Sequence, residues 1–292
     1  MKAVFRFLAS LCAAALLFAV LGVLYVKTQE LKPESRDTVN GLLRDLQQID
    51  AEVNTDVLRS KTGINKHYDY LAQAQQLIGQ AQESLAAQRL ETLDFSLKGA
   101  EQQLTDAIAV KLELVDRFKA QNAILKNSVR FIAVAAEDLK QKLRDAHDPA
   151  GRPVQVAGLA EGIDQVLVET LRLEAAGDSG GVAKVRGLLS SLVANRGAYP
   201  PAVAESFDIF ANHIITILAQ KEREDELLKE MASVAVTERI EALGKAFGAS
   251  FELANEKHDQ YRIAMQGYGA FLIALLAFVF GRRGRKSAPI AA

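Results

Sequence analysis

Two uncharged apolar stretches lie near the ends of the chain, at residues 7–26 and 263–281. A helix of about 20 residues spans roughly 30 Å, which is the thickness of the hydrocarbon core of a bilayer. A cleaved signal peptide has a shorter apolar core followed by a small-residue cleavage site, whereas Lys27 directly follows the first stretch. The pattern therefore predicts two transmembrane helices, at 7–26 and 263–281.

Between these stretches, apolar residues recur at alternating spacings of three and four, which is typical of helices packed side by side. No segment shows sustained period-two alternation, so we expect no β-sheet. One polar residue, Asn122, occupies a position in the longer of two such seams. The longer seam comprises Val115, Phe118, Asn122, Leu125, Val129, Ile132, Ala136, Leu139 and Leu143, and the shorter one Val39, Leu42, Leu46, Ile49 and Val53.

The positions of proline delimit the predicted helices, because proline breaks helix interiors and none occurs in 34–148 or 202–288. A helix over 92–146 would be about 75 Å long, which is too long for one compact bundle. We therefore predict an all-α fold in which two transmembrane helices flank an extended domain, 27–262, of two stacked helical bundles that share long helices. The other predicted helices cover about 35–62, 67–88, 157–176, 182–195, 201–231 and 236 onward, with a turn at 177–181.

The distribution of charge predicts the topology. All 36 Asp and Glu lie within 27–262, together with 29 Lys and Arg, so this domain has a net charge of −7. Lys2 and Arg6 precede the first apolar stretch, and four cations follow the second in the tail 282–292. By the positive-inside rule both termini are cytoplasmic and 27–262 is periplasmic, in a bacterial inner membrane. The near-zero net charge of the whole chain argues against nucleic-acid binding.

The sequence lacks the common motifs of catalysis and metal binding. Cys12 is the single cysteine, and the four histidines show no metal-ligand spacing. There is no phosphate-binding glycine loop and no nucleophile elbow. We expect no enzyme activity, no cofactor and no metal site.

Two polar segments differ from a generic coiled coil. Gly63 and Asn65 mark a helix end, after which Asp69 can cap the next helix. Asn122 either fixes the register of its seam or contacts a small polar or zwitterionic ligand, and the sequence leaves both open. If the two segments meet, they supply a cation, a phenol, a carboxylate and an amide beside an apolar wall. The candidate ligand-binding residues are Arg59, Tyr68, Asp69, Phe118, Asn122 and Asn127.

These two segments also carry a family resemblance. They read Asn54-x-Asp-Val-Leu-Arg-x-Lys-Thr-Gly-x-x-x-x-Tyr-Asp69 and Phe118-Lys-x-x-Asn-x-x-Leu-Lys-Asn-Ser128. They resemble the double all-helical ligand-binding (DAHL) domain, an extracytoplasmic input module of bacterial membrane-bound signal transducers such as the sensor histidine kinases of two-component systems. The chain departs from the pattern at Tyr70, where we expect proline.

The resemblance implies a membrane-anchored periplasmic sensor that binds a small molecule or a periplasmic protein and shifts its last helix relative to the first. We expect a homodimer. We also expect no output domain in this chain, because the tail 282–292 is too short for a kinase, so the signal would pass to a partner in the membrane. The alternative is a structural helical scaffold or spacer of the cell envelope.

Overall fold

Every regular element in the described part of the chain is helical. The computed structural model describes residues 2–28, 34–147, 152, 156, 158–176 and 179–286, and these contain no β-strand. The protein is therefore all-α. Two short 3-10 turns, Leu90–Thr92 and Arg196–Ala198, join helices. The α-helices are α1 (Lys2–Lys27), α2 (Glu34–Lys61), α3 (Asp69–Ala86), α4 (Ser96–Asp145), α5 (Leu159–Ala176), α6 (Ser179–Ala194), α7 (Pro201–Ser233) and α8 (Val236–Lys286).

The helices agree with the sequence prediction except at the turn expected over 177–181. Residues 177 and 178 lie outside the described residues, whereas Ser179, Gly180 and Gly181 already belong to α6. A Cβ atom on Gly181 would lie 3.1 Å from Leu173 Cδ1, so the glycine allows α5 and α6 to approach closely. The turn prediction is wrong there because this glycine serves helix packing rather than a turn.

The chain divides into two units. Unit 1 comprises Met1–Gln47, Gln80–Leu104 and Thr237–Ala292, and unit 2 comprises Gln48–Gly79 and Thr105–Val236. The buried residues of unit 1 include Leu43, Leu97 and Phe247. Unit 2 has a large apolar core between α4, α5, α6 and α7.

Within unit 1, α1 and α8 lie antiparallel. The Tyr268 hydroxyl donates a hydrogen bond to the Leu17 carbonyl (3.1 Å), and His258 Nε2 lies 3.0 Å from the Thr28 carbonyl oxygen. The later residue of α1, Thr28, therefore contacts the earlier residue of α8, His258, which is the pattern of an antiparallel pair. Several large apolar side chains on both helices are exposed: Leu16, Phe18, Val23, Ile263, Phe271, Ile273 and Leu276.

One apolar stretch among the described residues, within Pro201–Phe278, is long enough to cross a membrane by length and composition, and its apolar window contains no buried residue. The described part of the first helix gives a shorter apolar stretch, Ala15–Lys27.

Seven of the nine predicted positions of the α4 seam are buried, while Val129 and Leu143 are half-buried. The seam of α2 follows a partly different set of residues. Leu42 and Ile49 are only half-buried, and the residues that follow each of them, Leu43 and Asp50, are buried. The buried face of α2 repeats at alternating spacings of four and three, and it consists of Val39, Leu43, Leu46, Asp50, Val53, Val57 and Ser60. Asp50 can occupy this face because Lys111, which is also buried, donates a hydrogen bond to it at 2.5 Å.

A buried polar cluster as the candidate functional site

A chain of hydrogen bonds crosses the interior of unit 2. The Tyr68 hydroxyl donates to Asn122 Oδ1 at 2.7 Å, and Asn122 Nδ2 donates to Glu224 Oε1 at 2.6 Å. Asn122 and Glu224 are each only 1% exposed, and Tyr68 is half-buried. The Asn122 amide therefore uses both its acceptor and a donor to join the start of α3 to α7.

The end of α2 positions Tyr68. The helix ends at Lys61, as the sequence predicts, and Gly63 then adopts a left-handed conformation (φ 75°). Lys126 Nζ donates to the carbonyl oxygens of Ser60 (2.7 Å) and Asn65 (3.4 Å). Since carbonyls at a helix C-terminus carry partial negative charge, this lysine stabilises the turn that leads into α3.

Charged groups of both signs surround Glu224. Lys221, which is 4% exposed, pairs with Glu174 at 3.4 Å, and Lys61 pairs with Asp225 at 2.7 Å. Burial raises the pKa of the Glu224 carboxyl, although the Asn122 hydrogen bond and the charges of Lys221 and Lys61 oppose this shift. The pKa of Tyr68 is also raised, first by burial and then by the charge of Glu224.

The cluster contains buried polar atoms without a hydrogen-bond partner. Glu224 Oε2 and Ser60 Oγ have no such partner among the described residues. An unpartnered buried polar atom is costly, and a carboxylate oxygen costs more than a hydroxyl. Glu224 therefore retains an acceptor that a hydrogen-bond donor can use.

The structure brings together three of the six candidate residues and leaves the other three on the surface. Tyr68 and Asn122 are hydrogen-bonded, and Phe118, one turn before Asn122, is fully buried. In contrast, the Arg59 side chain is 54% exposed and pairs with Asp56 at 3.3 Å. Asp69 and Asn127 are also exposed. Asp69 is the first residue of α3, as expected for a residue that stabilises a helix N-terminus.

The comparison with protein families bears directly on this site. The model of the DAHL domain matches residues 31–262, which is most of the chain and contains the whole cluster. The chain belongs to the DAHL domain family. This membership identifies a helical sensor or ligand-binding module of signal transducers. No curated protein and no solved structure matches the chain significantly.

Sequence analysis missed three residues of this DAHL domain cluster: Ser60, Lys126 and Glu224. The apolar pattern does not include these polar and charged residues, although their spacing contains a signal. Lys126 lies one helical turn after Asn122, on the same face of α4. On α7, the buried residues Ile214, Ile217, Lys221, Glu224, Leu227 and Met231 follow helical spacing, so Lys221 and Glu224 continue an apolar seam.

Metal binding has no support among the described residues of the DAHL domain, where no group of three His, Cys, Asp or Glu side chains is placed to hold an ion. The chemistry available to the cluster is hydrogen bonding and charge recognition. It offers a buried carboxylate, an amide and a phenol.

Proposed function

We propose that this protein is a membrane-anchored periplasmic sensor that binds a small polar or zwitterionic ligand at the cluster of Tyr68, Asn122 and Glu224. The observation that carries the proposal is the unpartnered oxygen of Glu224, a buried carboxylate inside a DAHL domain. Burial makes the ionised form of this group unfavourable. A ligand ammonium or other donor would supply the missing partner.

The antiparallel pair of α1 and α8 supports the membrane part of the proposal. Apolar side chains as large as Leu16 and Phe271 are more than half exposed on these helices, and such a surface suits lipid rather than water. An antiparallel pair of spans puts both termini on one side. With the bias of Lys and Arg toward the termini, this supports cytoplasmic termini, two spans at 7–26 and 263–281, and a periplasmic 27–262 in a bacterial inner membrane.

The hydrogen-bond geometry supports a signalling mechanism. Asn122 links the residue preceding α3 to α7 through contacts of 2.7 and 2.6 Å. A ligand that donates to Glu224 Oε2 and contacts Asn122 would shift both side chains, and the packing of α4 against α7 would change. Helix shifts of about 1–2 Å are typical of such switches. The shift would pass through α8 to a signalling partner in the membrane. We also propose the homodimer and the two stacked bundles that the sequence predicts.

The first experiment tests ligand binding with the proteinogenic amino acids as zwitterionic probes. The full chain in uncharged detergent is screened by thermal shift and titrated by calorimetry. Glu224→Gln keeps an acceptor for Asn122 but removes the charge, so it should abolish binding of a probe that the wild type binds. Glu226→Gln, an exposed position on the same helix, is the control. Failure of every probe, or equal binding by the Glu224 variant, would contradict the proposal.

A second pair of variants separates a ligand contact from a register device. Asn122→Leu nearly keeps the volume and removes both hydrogen bonds, whereas Asn127→Leu changes an exposed asparagine of the same helix. For a ligand contact, the Asn122 variant folds and its affinity for the probe falls by about 1–3 kcal/mol. For a register device, probe affinity is unchanged and the oligomeric state or stability changes instead.

The alternative function is a structural helical scaffold or spacer of the envelope. This alternative rests on the same burial of Asn122 and the same two hydrogen bonds, because both fix the positions of neighbouring helices. The amino-acid screen also distinguishes the two functions. A scaffold is not expected to bind any probe through Glu224.

A further inference from the structure

The loop between α3 and α4, residues 87–95, lies beside α8. The Ser250 hydroxyl donates a hydrogen bond to Asp94 at 2.9 Å, and Arg239 donates one to Gln103 at 2.6 Å. The later of the two residues on α8, Ser250, therefore contacts the earlier of their two partners, and α8 and α4 are antiparallel. This places the loop at the end of unit 1 from which α8 continues into its apolar stretch.

The loop lies close to the residue at which that apolar stretch begins. Leu93 of the loop lines one cavity together with Lys27, the last residue of α1, and Tyr261 of α8. Tyr261 precedes residue 263 by two positions, which is about 3 Å along a helix. The headgroup region on each side of a bilayer is roughly 5–8 Å thick. With 263–281 in the membrane, as proposed, the loop lies at or next to the headgroups.

Phe95, the last residue of the loop, is the most exposed large apolar side chain in the described part of the chain, at 78%. Two tyrosines are also exposed at this end of unit 1: Tyr25 (57%) in the last turn of α1, and Tyr261 (38%). Tyrosine is enriched at the surface of membranes, and phenylalanine on membrane-surface segments inserts at the boundary of headgroups and acyl chains. Removal of the Phe95 side chain from water would be favourable.

The charge of the loop excludes attraction to anionic lipid as the main cause of such a contact. Its charged residues are Arg89, Glu91 and Asp94, which give a net charge of −1. Anionic headgroups attract clusters of cations, not a loop of this composition. A contact with the membrane would therefore depend on apolar insertion and not on the charge of the lipid.

We propose that the loop 87–95 inserts Phe95 into the outer surface of the membrane, at the boundary between headgroups and acyl chains. The partner is the phospholipid bilayer in which the same chain is anchored. The proposal rests on the proposed two-span topology and does not depend on ligand binding at Glu224. The contact would hold the start of α4 at the membrane surface, while α8 continues through the membrane.

The chain contains no tryptophan, so one introduced tryptophan reports its own surroundings by fluorescence. Phe95→Trp is compared with Lys245→Trp and Phe271→Trp, each as the full chain in bilayer discs of brominated phosphatidylcholine, which quenches tryptophan on contact. Lys245 is the matched control, because its side chain is 82% exposed on α8 but lies about 27 Å before residue 263 along the helix. Phe271 lies about 12 Å beyond residue 263, near the middle of the proposed span.

We expect the emission of Phe95→Trp to fall most when the bromine atoms lie near the headgroup. The emission of Phe271→Trp should fall most when they lie near the end of the acyl chain, and Lys245→Trp should keep its emission with either lipid. Brominated phosphatidylglycerol should quench Phe95→Trp as much as brominated phosphatidylcholine does, because the contact is apolar.

The failure of the membrane contact and the failure of the span give different results. Quenching of Phe271→Trp with no more quenching of Phe95→Trp than of Lys245→Trp would overturn the contact and leave the span intact. No quenching of Phe271→Trp would overturn the span and the contact with it. If Phe95→Trp is shielded from aqueous acrylamide but not quenched by brominated lipid, a protein covers this loop and the proposal is wrong. Quenching in phosphatidylglycerol alone would also overturn it.

Discussion

Removing Lys111 should destabilise unit 2 more than removing any surface lysine. Lys111 Nζ lies 2.5 Å from Asp50 Oδ1, and the two side chains are only 6% and 9% exposed. The variant Lys111→Met keeps most of the aliphatic chain and leaves the Asp50 carboxylate buried without its cation. Breaking a buried ion pair from one side costs about 3–5 kcal/mol. That is a large part of the 5–15 kcal/mol by which proteins are typically stable.

The double variant Asp50→Leu with Lys111→Met separates an unpaired charge from lost packing. Apolar replacement of a buried ion pair is often neutral or stabilising by about 1–4 kcal/mol. We therefore expect the double variant to recover the stability that the single variant loses. The free energy of unfolding would be measured by denaturant titration of the full chain in uncharged detergent, followed by helical circular dichroism.

The matched control is Lys119→Met, on the same helix. Lys119 pairs with Asp116 at 2.7 Å, but the Asp116 side chain is 60% exposed. A surface pair of this kind contributes about 0.2–1 kcal/mol. Equal losses in the Lys111 and Lys119 variants would refute the reasoning. So would a double variant as unstable as Lys111→Met alone.

Three further predictions concern the core, the pH dependence and the topology. Leu125→Asp puts a charge in a core position that is 1% exposed and should cost several kcal/mol in a thermal melt, while Ile124→Asp, at 47% exposure, should cost little. Burial raises the pKa of Glu224 above its ordinary 4.5, so the stability of wild type relative to Glu224→Gln should fall as the pH rises from 4.5 through the raised pKa. A difference that grows with pH would contradict this sign. Reporter fusions at about residue 150 and at the C-terminus should report periplasm and cytoplasm respectively, and a cytoplasmic signal from the first would exclude the topology.

The helices could be predicted from the sequence because their signals are local. Most predicted positions of the α4 seam are buried, and α2 ends just before Gly63, where the sequence predicts a helix end. Because proline does not fit a helix interior, its positions limit where helices can lie, and most predicted helix boundaries are within a few residues of the observed ones. The contact between Tyr68 and Asn122 is expected from the sequence only if their two segments meet. Whether they meet depends on how far one helix is offset along the other, which no local pattern determines.

The missed residues share one physical cause. A search for apolar spacing places a charged residue on the surface unless its partner is known, and the partners lie far away in the chain. Asp50 and Lys111 are 61 residues apart, and Asn122 and Glu224 are 102 apart. The sequence predicts Arg59 as a ligand contact for the opposite reason, because its charge suits a polar ligand. A residue three positions before it, Asp56, satisfies that charge at the surface instead.

The polar positions within these seams limit how the helices of unit 2 can move. Apolar contacts are non-directional, whereas a hydrogen bond requires a narrow range of distances between donor and acceptor. The bonds from Asn122 to Tyr68 and Glu224 are 2.7 and 2.6 Å long, and a hydrogen bond is lost when a slide of 1–2 Å separates its atoms. A slide of this size would also separate Asp50 from Lys111. Polar layers therefore add to close packing in favouring discrete registers over a continuous slide. A ligand changes such a choice only through a difference in its affinity for the two registers. In the proposed function Glu224 would provide that difference, since its Oε2, which has no partner among the described residues, would gain a donor when the ligand binds.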